Sequence, residues 1–165
     1  MTRQTGKEQD NIHMSDFEEI KFLVFRIKEV CFGIDMEQIS EIMDAGQAEK
    51  RKKRASRFHE QLNFKGETVV YQAPKILIIR GKEHKPGVII ETPVDITAIP
   101  VESIQPLPPL IVGSNGPKAI WGVAVRNSEI IMLVDANEIL ADLSLPSSLR
   151  TFPTKQKSIE QLTRR

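Results

Sequence analysis

From about residue 17 to 143 the chain is a series of short apolar or alternating runs separated by turn residues, the pattern of β-strands. The runs cover 20–27, 30–34, 59–64, 68–72, 75–79, 87–91, 94–99, 119–125 and 129–134. Many are rich in Val and Ile, whose branched side chains suit a pleated, half-buried surface. Pro86, Pro93, Pro100, Pro106, Pro108, Pro109 and Pro117 punctuate the middle of the chain and leave no room for a long helix there. Short strands at regular spacing predict a barrel or sandwich.

Two short helices are expected against this background. Asp35-Met-Glu-Gln38 and Asp135-Ala-Asn-Glu138 each place an Asp before a Gln or Glu three residues on, a start resembling a capping box. The first helix would present Met36, Ile39, Ile42 and Met43 at helical spacing, and the second Ile139, Leu140 and Leu143.

These helices belong to an internal repeat. Phe25-Arg-Ile-Lys-Glu-Val-Cys-Phe-Gly-Ile-Asp35 aligns without a gap on Val125-Arg-Asn-Ser-Glu-Ile-Ile-Met-Leu-Val-Asp135, at an offset of 100 residues. Arg, Glu, Asp and the Ile four residues after each Asp (Ile39, Ile139) are identical. The repeat points to a duplicated architecture, two similar small barrels packed side by side. Residues 1–16 and 144–165 are polar or proline-bearing and read as tails around a single domain at 17–143.

Composition narrows the function classes. With 23 basic and 22 acidic residues the net charge is +1, which exerts little long-range pull on nucleic acid or anionic lipid. A protein partner or a small ligand fits that balance better. No apolar run approaches the ~20 residues needed to span a bilayer, and the first residues lack the apolar segment of a secretory signal, so a cytoplasmic address without membrane insertion is expected. The single cysteine, Cys31, lies in an apolar run and reads as a small buried hydrophobe.

Candidate chemistry is sparse. His13, His59 and His84 have no second His or Cys at metal-ligand spacing. GxSxG, GxGxxG and GxxxxGK[ST] are all missing. Neither an enzyme nor a metal or other cofactor is expected. Glu49-Lys-Arg-Lys-Lys-Arg54 with Arg57 reads first as a solvated loop and second as a patch for nucleic acid, anionic lipid or an acidic partner. Leu62-Asn-Phe-Lys-Gly66 is either turn chemistry or an interaction surface. Ile104-Gln-Pro-Leu-Pro-Pro-Leu110 reads as a stiff connector.

Taken in order, these segments resemble the CheW-like domain across nearly all of 17–143. Cys31-Phe-Gly-Ile-Asp35 is similar to the family's F-G-I-D or Y-G-I-D, Gln38-Ile-Ser-Glu-Ile42 to V-x-E-I, and Leu62-Asn-Phe-Lys-Gly66 to I-N-L-R-G. Gly87-Val-Ile-Ile-Glu91, the proline-bearing stretch up to Leu110, Gly122-Val-Ala-Val and Ile130-Ile-Met-Leu-Val-Asp135 match the second half. The resemblance implies an all-β fold of two pseudo-symmetric five-stranded SH3-like barrels packed side by side, with short helices. It implies a non-catalytic signalling adaptor that couples chemoreceptors to a histidine kinase in chemotaxis. Its partners would be the kinase's regulatory domain and the chemoreceptor's cytoplasmic tip.

Carried over position by position, the partner-binding residues are Ile39, Glu41, Asn63, Phe64, Lys65 and Gly66. Two departures mark a divergent member. Lys65 stands where the family has Arg, which keeps the charge and loses the planar fork. Ala73-Pro-Lys75 stands where D-L-R is expected. A CheW-like scaffold in a different pathway therefore fits as well, and a small nucleic-acid-binding barrel using 49–57 is the reading from another class.

Overall fold

The computed structural model describes residues 18–62, 68–84, 86–108 and 118–143; the tails expected at 1–16 and 144–165 lie outside them. Among the described residues there are ten strands in two sheets and three short α-helices. The chain runs β1 (Glu19–Ile27), β2 (Val30–Asp35), a 3-10 turn (Met36–Gln38), β3 (Ile39–Asp44), α1 (Ala45–Lys50), β4 (Ala55–Arg57) and α2 (Phe58–Gln61). It continues through β5 (Lys75–Ile79), β6 (Gly87–Ile90), β7 (Asp95–Pro100), a second 3-10 turn (Val101–Ser103), β8 (Gln105–Pro106), β9 (Ile120–Arg126), β10 (Glu129–Val134) and α3 (Ala136–Leu143).

The larger sheet has the order β7-β1-β2-β10-β9-β8 and the smaller β3-β5-β6-β4. The strands divide six and four because β2 and β10 pair across the two repeated segments. That pair is parallel, with Cys31 opposite Ile131, Phe32 opposite Met132, Gly33 opposite Leu133 and Ile34 opposite Val134. Each residue faces the one 100 positions later, the offset of the gapless alignment. The repeated hairpins β1–β2 and β9–β10 thus meet edge to edge. Arg26 of one also forms an ion pair with Glu129 of the other, both at positions the repeat shares. Asn127 and Ser128 both take positive φ, 50° and 65°, as a tight two-residue hairpin turn requires.

Both faces of the six-stranded sheet are covered, so its strands read as nearly continuous apolar runs. Leu23, Phe25, Phe32, Ile34 and Val134 point into a central core shared with the four-stranded sheet, whose Leu77, Ile79, Val88 and Ile90 meet them. Phe22, Val24, Cys31, Ile131 and Leu133 line the opposite face. Beyond the four-stranded sheet, Met43, Ile76 and Ile78 pack with Ala48 of α1. Phe58 opens α2 and inserts into the central core, edge-on to Phe25 and Phe32 at ring-centre distances of 4.9 and 5.0 Å. Such aromatic contacts add to the area they bury.

The two Asp caps form as expected. Asp35 Oδ1 accepts from Glu37 N at 2.9 Å, and Asp135 Oδ1 accepts from Asn137 N at 2.8 Å. Gln38 joins the two turns. Its Nε2 donates to Asp135 Oδ1 at 3.0 Å, and its Oε1 accepts from Ala136 N at 3.0 Å. One amide side chain therefore satisfies an orphan donor of α3 and holds its capping carboxylate.

Three expected elements differ. The first Asp caps only a 3-10 turn, and Ile39, Ile42 and Met43 lie in β3; branched side chains and pairing with β5 override the helical spacing. The stretch 59–64 is not a strand where it is described. It lies in α2, held by burial of Phe58, and Asn63 and Phe64 are outside the described residues. Residues 68–72 form an irregular segment pinned by side chains instead of a ladder. The smaller elements α1, β4 and β8 were not expected.

Two outcomes test these packing statements by urea unfolding. Gln38→Ala removes both bonds and should cost about 1–3 kcal/mol. A Cβ at Gly87 would lie 2.5 Å from Ile76 Cγ2 and 3.1 Å from the Leu77 carbonyl oxygen, whereas one at Gly46 meets nothing within 4 Å. Gly87→Ala should therefore destabilise by about 1–3 kcal/mol, and Gly46→Ala, within α1, should stabilise by up to ~1 kcal/mol; equal effects would refute the packing contrast.

Candidate partner-binding surface

Of the six residues carried over from the family, Ile39 and Glu41 are described; Asn63, Phe64, Lys65 and Gly66 lie outside the described residues. Ile39 and Glu41 are two apart in one strand, a spacing that ordinarily puts side chains on one face. Here the β3–β5 register shifts between them, with Ile39 opposite Ile79 and Glu41 opposite Ile78. That bulge at Ser40 sends them to opposite faces. Ile39 is buried in the central core at 6 % exposure. Glu41 is exposed, and both of its carboxylate oxygens accept from Arg51 Nη1, at 2.8 and 2.9 Å. Ser40 Oγ donates to the Ile78 carbonyl at 3.2 Å.

Arg80 supports the turn before β3. Its Nε donates to the Glu37 carbonyl at 2.8 Å and its backbone N–H to the Gln38 carbonyl at 2.8 Å. The linear pattern offered Gln38 only as the close of a capping-box-like start and did not point to Arg80, since both act on groups distant in sequence.

The segment with Asn63 to Gly66 is flanked on both sides by anchored structure. Before it, Phe58, His59 and Leu62 are buried. After it, Val69 is buried and Tyr71 reaches back: its Oη lies 2.8 Å from His59 Nδ1 and accepts from the His59 backbone N–H at 3.4 Å. The phenolic proton then belongs to Nδ1, which suits a neutral imidazole protonated on Nε2. Burial favours that neutral form and lowers the His59 pKa. Burial also pushes the Tyr71 phenol up to about 12. His59 is thus a packed core histidine.

Farther along, where Ala73-Pro-Lys75 departs from the family, Glu91 organises the backbone. Its carboxylate accepts from Gln72 N at 2.7 Å, Ala73 N at 3.0 Å and Thr92 N at 2.9 Å. Desolvation works to raise its pKa, and the three N–H donors outweigh it, so the carboxyl titrates below its ordinary range.

The basic run is more ordered than a plain loop. It begins in α1, turns at Arg51 and Lys52, and ends in β4, which pairs with β6 in parallel. Lys52 N donates to the Glu49 carbonyl at 2.9 Å and Lys53 N to the Ala48 carbonyl at 2.8 Å. This is a Schellman ending with Lys52 at the left-handed position, φ 52°. Cys31 is 5 % exposed, and burial raises its thiol pKa, as expected of a small packed hydrophobe. Among the described residues no group of three or more His, Cys, Asp or Glu is placed to hold a metal ion, and no helix is long and apolar enough to cross a membrane.

Comparison with known proteins places this arrangement. Residues 65–144 match the family model of the CheW-like domain. That part of the chain is similar to a CheW-like domain. Among solved structures, the scaffolding protein TtCheW from Thermoanaerobacter tengcongensis is similar with a TM-score of 0.58 at 18% identity, over 75% of this chain and 89% of that one. No curated protein matches the sequence. The mostly-β fold, two sheets with few short helices, thus matches the CheW arrangement of two SH3-like barrels expected from the repeat. The CheW-like match begins at Lys65, inside the stretch that carries the family's I-N-L-R-G resemblance.

The His59–Tyr71 contact has a spectroscopic test, because Tyr71 is the sole tyrosine. Phenolate absorbance of the folded chain should titrate near about 12, against ~10 for a free tyrosine; a midpoint at the free value would show the contact is not held. For His59 the folded pKa lies below the unfolded one, so its contribution is complete above about pH 6.5 and is lost as pH falls through the lowered folded value. His59→Gln should remove that part of the acid destabilisation in urea titrations across this window.

Proposed function

We propose that this chain is a non-catalytic signalling adaptor of the chemotaxis type, working in the cytoplasm, that couples chemoreceptors to a histidine kinase. The observation that carries the reading is the match of 65–144 to the CheW-like domain, supported by likeness to a protein described as a scaffold. Its partners on this reading are the kinase's regulatory domain and the chemoreceptor's cytoplasmic tip. Asn63, Phe64, Lys65 and Gly66 are the proposed direct contacts. Glu41, exposed and held by Arg51, is a contact at the β3 edge. Ile39, being buried, acts by holding the start of that strand.

An adaptor needs surfaces held in place more than it needs reactive groups. The irregular segment on the C-terminal side of 63–66 is fixed by the Tyr71–His59 contact and by the Glu91 carboxylate. Fixed flanks reduce the ordering entropy that binding would otherwise cost.

A second reading, a CheW-like scaffold outside chemotaxis, is favoured by Lys65 and by Ala73-Pro-Lys75. Both sit where the family pattern differs, and an ammonium does not replace a bidentate guanidinium. Pull-down of the full chain with the host's chemotaxis kinase and with receptor cytoplasmic tips separates the readings. Retention of either, weakened about tenfold or more by Lys65→Glu (~1.4 kcal/mol), is expected of the coupling role. Retention of neither, with all components folded, would leave the second reading. An unchanged affinity for Lys65→Glu would remove that residue from the contact.

A further inference from the structure

The outer side of the four-stranded sheet carries a concavity of about 240 Å³. Val69, Val70, Tyr71, Ile76 and Ile89 line it, together with Arg57. Val70 is 76 % exposed, a large apolar side chain left at the surface. The volume falls below the roughly 300–1,000 Å³ of small-molecule sites and suits one apolar side chain from a partner.

The charge beside it is mainly basic. Arg57 ends β4, which leads back to Arg54 and the turn with Lys50 and Lys52. These four cations are exposed and make no ion pair among the described residues. Of the nearby carboxylates, Glu41 is engaged by Arg51, Glu91 by three backbone N–H groups and Asp44 by Lys75. Among the described residues that leaves only the exposed Glu49 and Glu60 to offset the four cations. Lys52 also occupies the left-handed position of the α1 ending, where glycine costs least. A lysine there gives up local stability and adds a charge.

We propose that this surface docks an acidic protein segment, which places one apolar side chain in the pocket and sets its carboxylates against Arg57, Arg54 and Lys52. An apolar anchor within a charged rim is the usual division of labour at an interface. Nucleic acid fits less well. The one aromatic ring at the pocket, Tyr71, is turned edge-on to His59 at 78° with its hydroxyl committed to that residue, so it offers no stacking platform. The inference does not rest on the coupling role, because none of the residues it invokes is a proposed coupling contact and each is tested separately.

Selection of a phage-displayed library of random dodecapeptides on the full chain supplies the probe, and fluorescence anisotropy of the enriched peptides measures affinity. Enrichment of Asp- and Glu-rich peptides with one Leu, Ile, Met or Phe is expected. Replacing that apolar residue by Ala should weaken binding about tenfold, as loss of a central anchor does. Arg57→Glu and Val70→Ser, both at exposed positions, should each weaken it by a similar factor. Lys52→Gly should weaken binding while raising the urea midpoint, which a purely structural lysine would not do. Peptides without acidic character, or acidic peptides whose affinity none of these substitutions changes, would overturn the proposal. So would single-stranded DNA or anionic phosphatidylglycerol vesicles that bind through the same residues more tightly than the peptides.

Discussion

The parallel pairing of β2 with β10 is the constraint on which the rest of the structure depends. Without it the sheet would split into two three-stranded pieces, β7-β1-β2 and β10-β9-β8, and neither core would have a continuous floor. With it, six strands form one sheet whose two faces hold two different cores. The register admits no slip. Moving β10 by one residue would turn Met132 and Val134 outward and bring Ile131 and Leu133 into the phenylalanine cluster. Gly33 lies within this seam, where a Cβ would sit 3.1 Å from Ile131 Cγ2 and 3.3 Å from Leu133 Cδ2. Gln38 then locks the ends of the seam by tying the turn after β2 to the cap of α3.

Much of this was legible in the sequence, for identifiable reasons. The gapless offset of 100 residues located both hairpins, and the capping Asp residues marked where their second strands stop. The Val- and Ile-rich runs near 75–79, 87–90 and 129–134 are strands because burial and branching point the same way. Legibility failed where two signals competed. Ile39, Ile42 and Met43 fit helical spacing, but Ile39 and Met43 bury on opposite faces of one strand across a bulge while Ile42 stays exposed, and a bulge leaves no mark on a hydrophobic pattern. The stretch 59–64 read as extended because it is short and lies between turn signals, yet the anchor of Phe58 in the core suffices to wind 58–61 into a single turn.

The candidate site was less legible than the fold. The residue pattern left Leu62 to Gly66 open between turn chemistry and an interaction surface, and only the resemblance made Asn63 to Gly66 partner contacts. The contacts that hold their flanks, Tyr71 with His59 and Glu91 with Gln72 and Ala73, join residues 12 to 19 positions apart through side chains. Such pairs carry no periodicity. The ordered ending of α1 was hidden for another reason: its left-handed position is filled by Lys52, not by the glycine that would have announced it.

The ionisable groups inside the described structure bear on what kind of protein this is. Catalytic sites use burial and neighbouring charge to bring a pKa toward the working pH. Here burial moves Cys31 up, Tyr71 up to about 12 and His59 down. Each is driven toward its neutral, packed form. The carboxylates with altered titration move the other way. Thr97 and Ile96 hold Asp95 ionised, and backbone donors hold Glu83 and Glu91 ionised. Among the described residues each of these shifts therefore favours the form already dominant near neutral pH. The hydrogen bonds that pin Tyr71, Glu91 and Asp95 thus keep the protonation they depend on there.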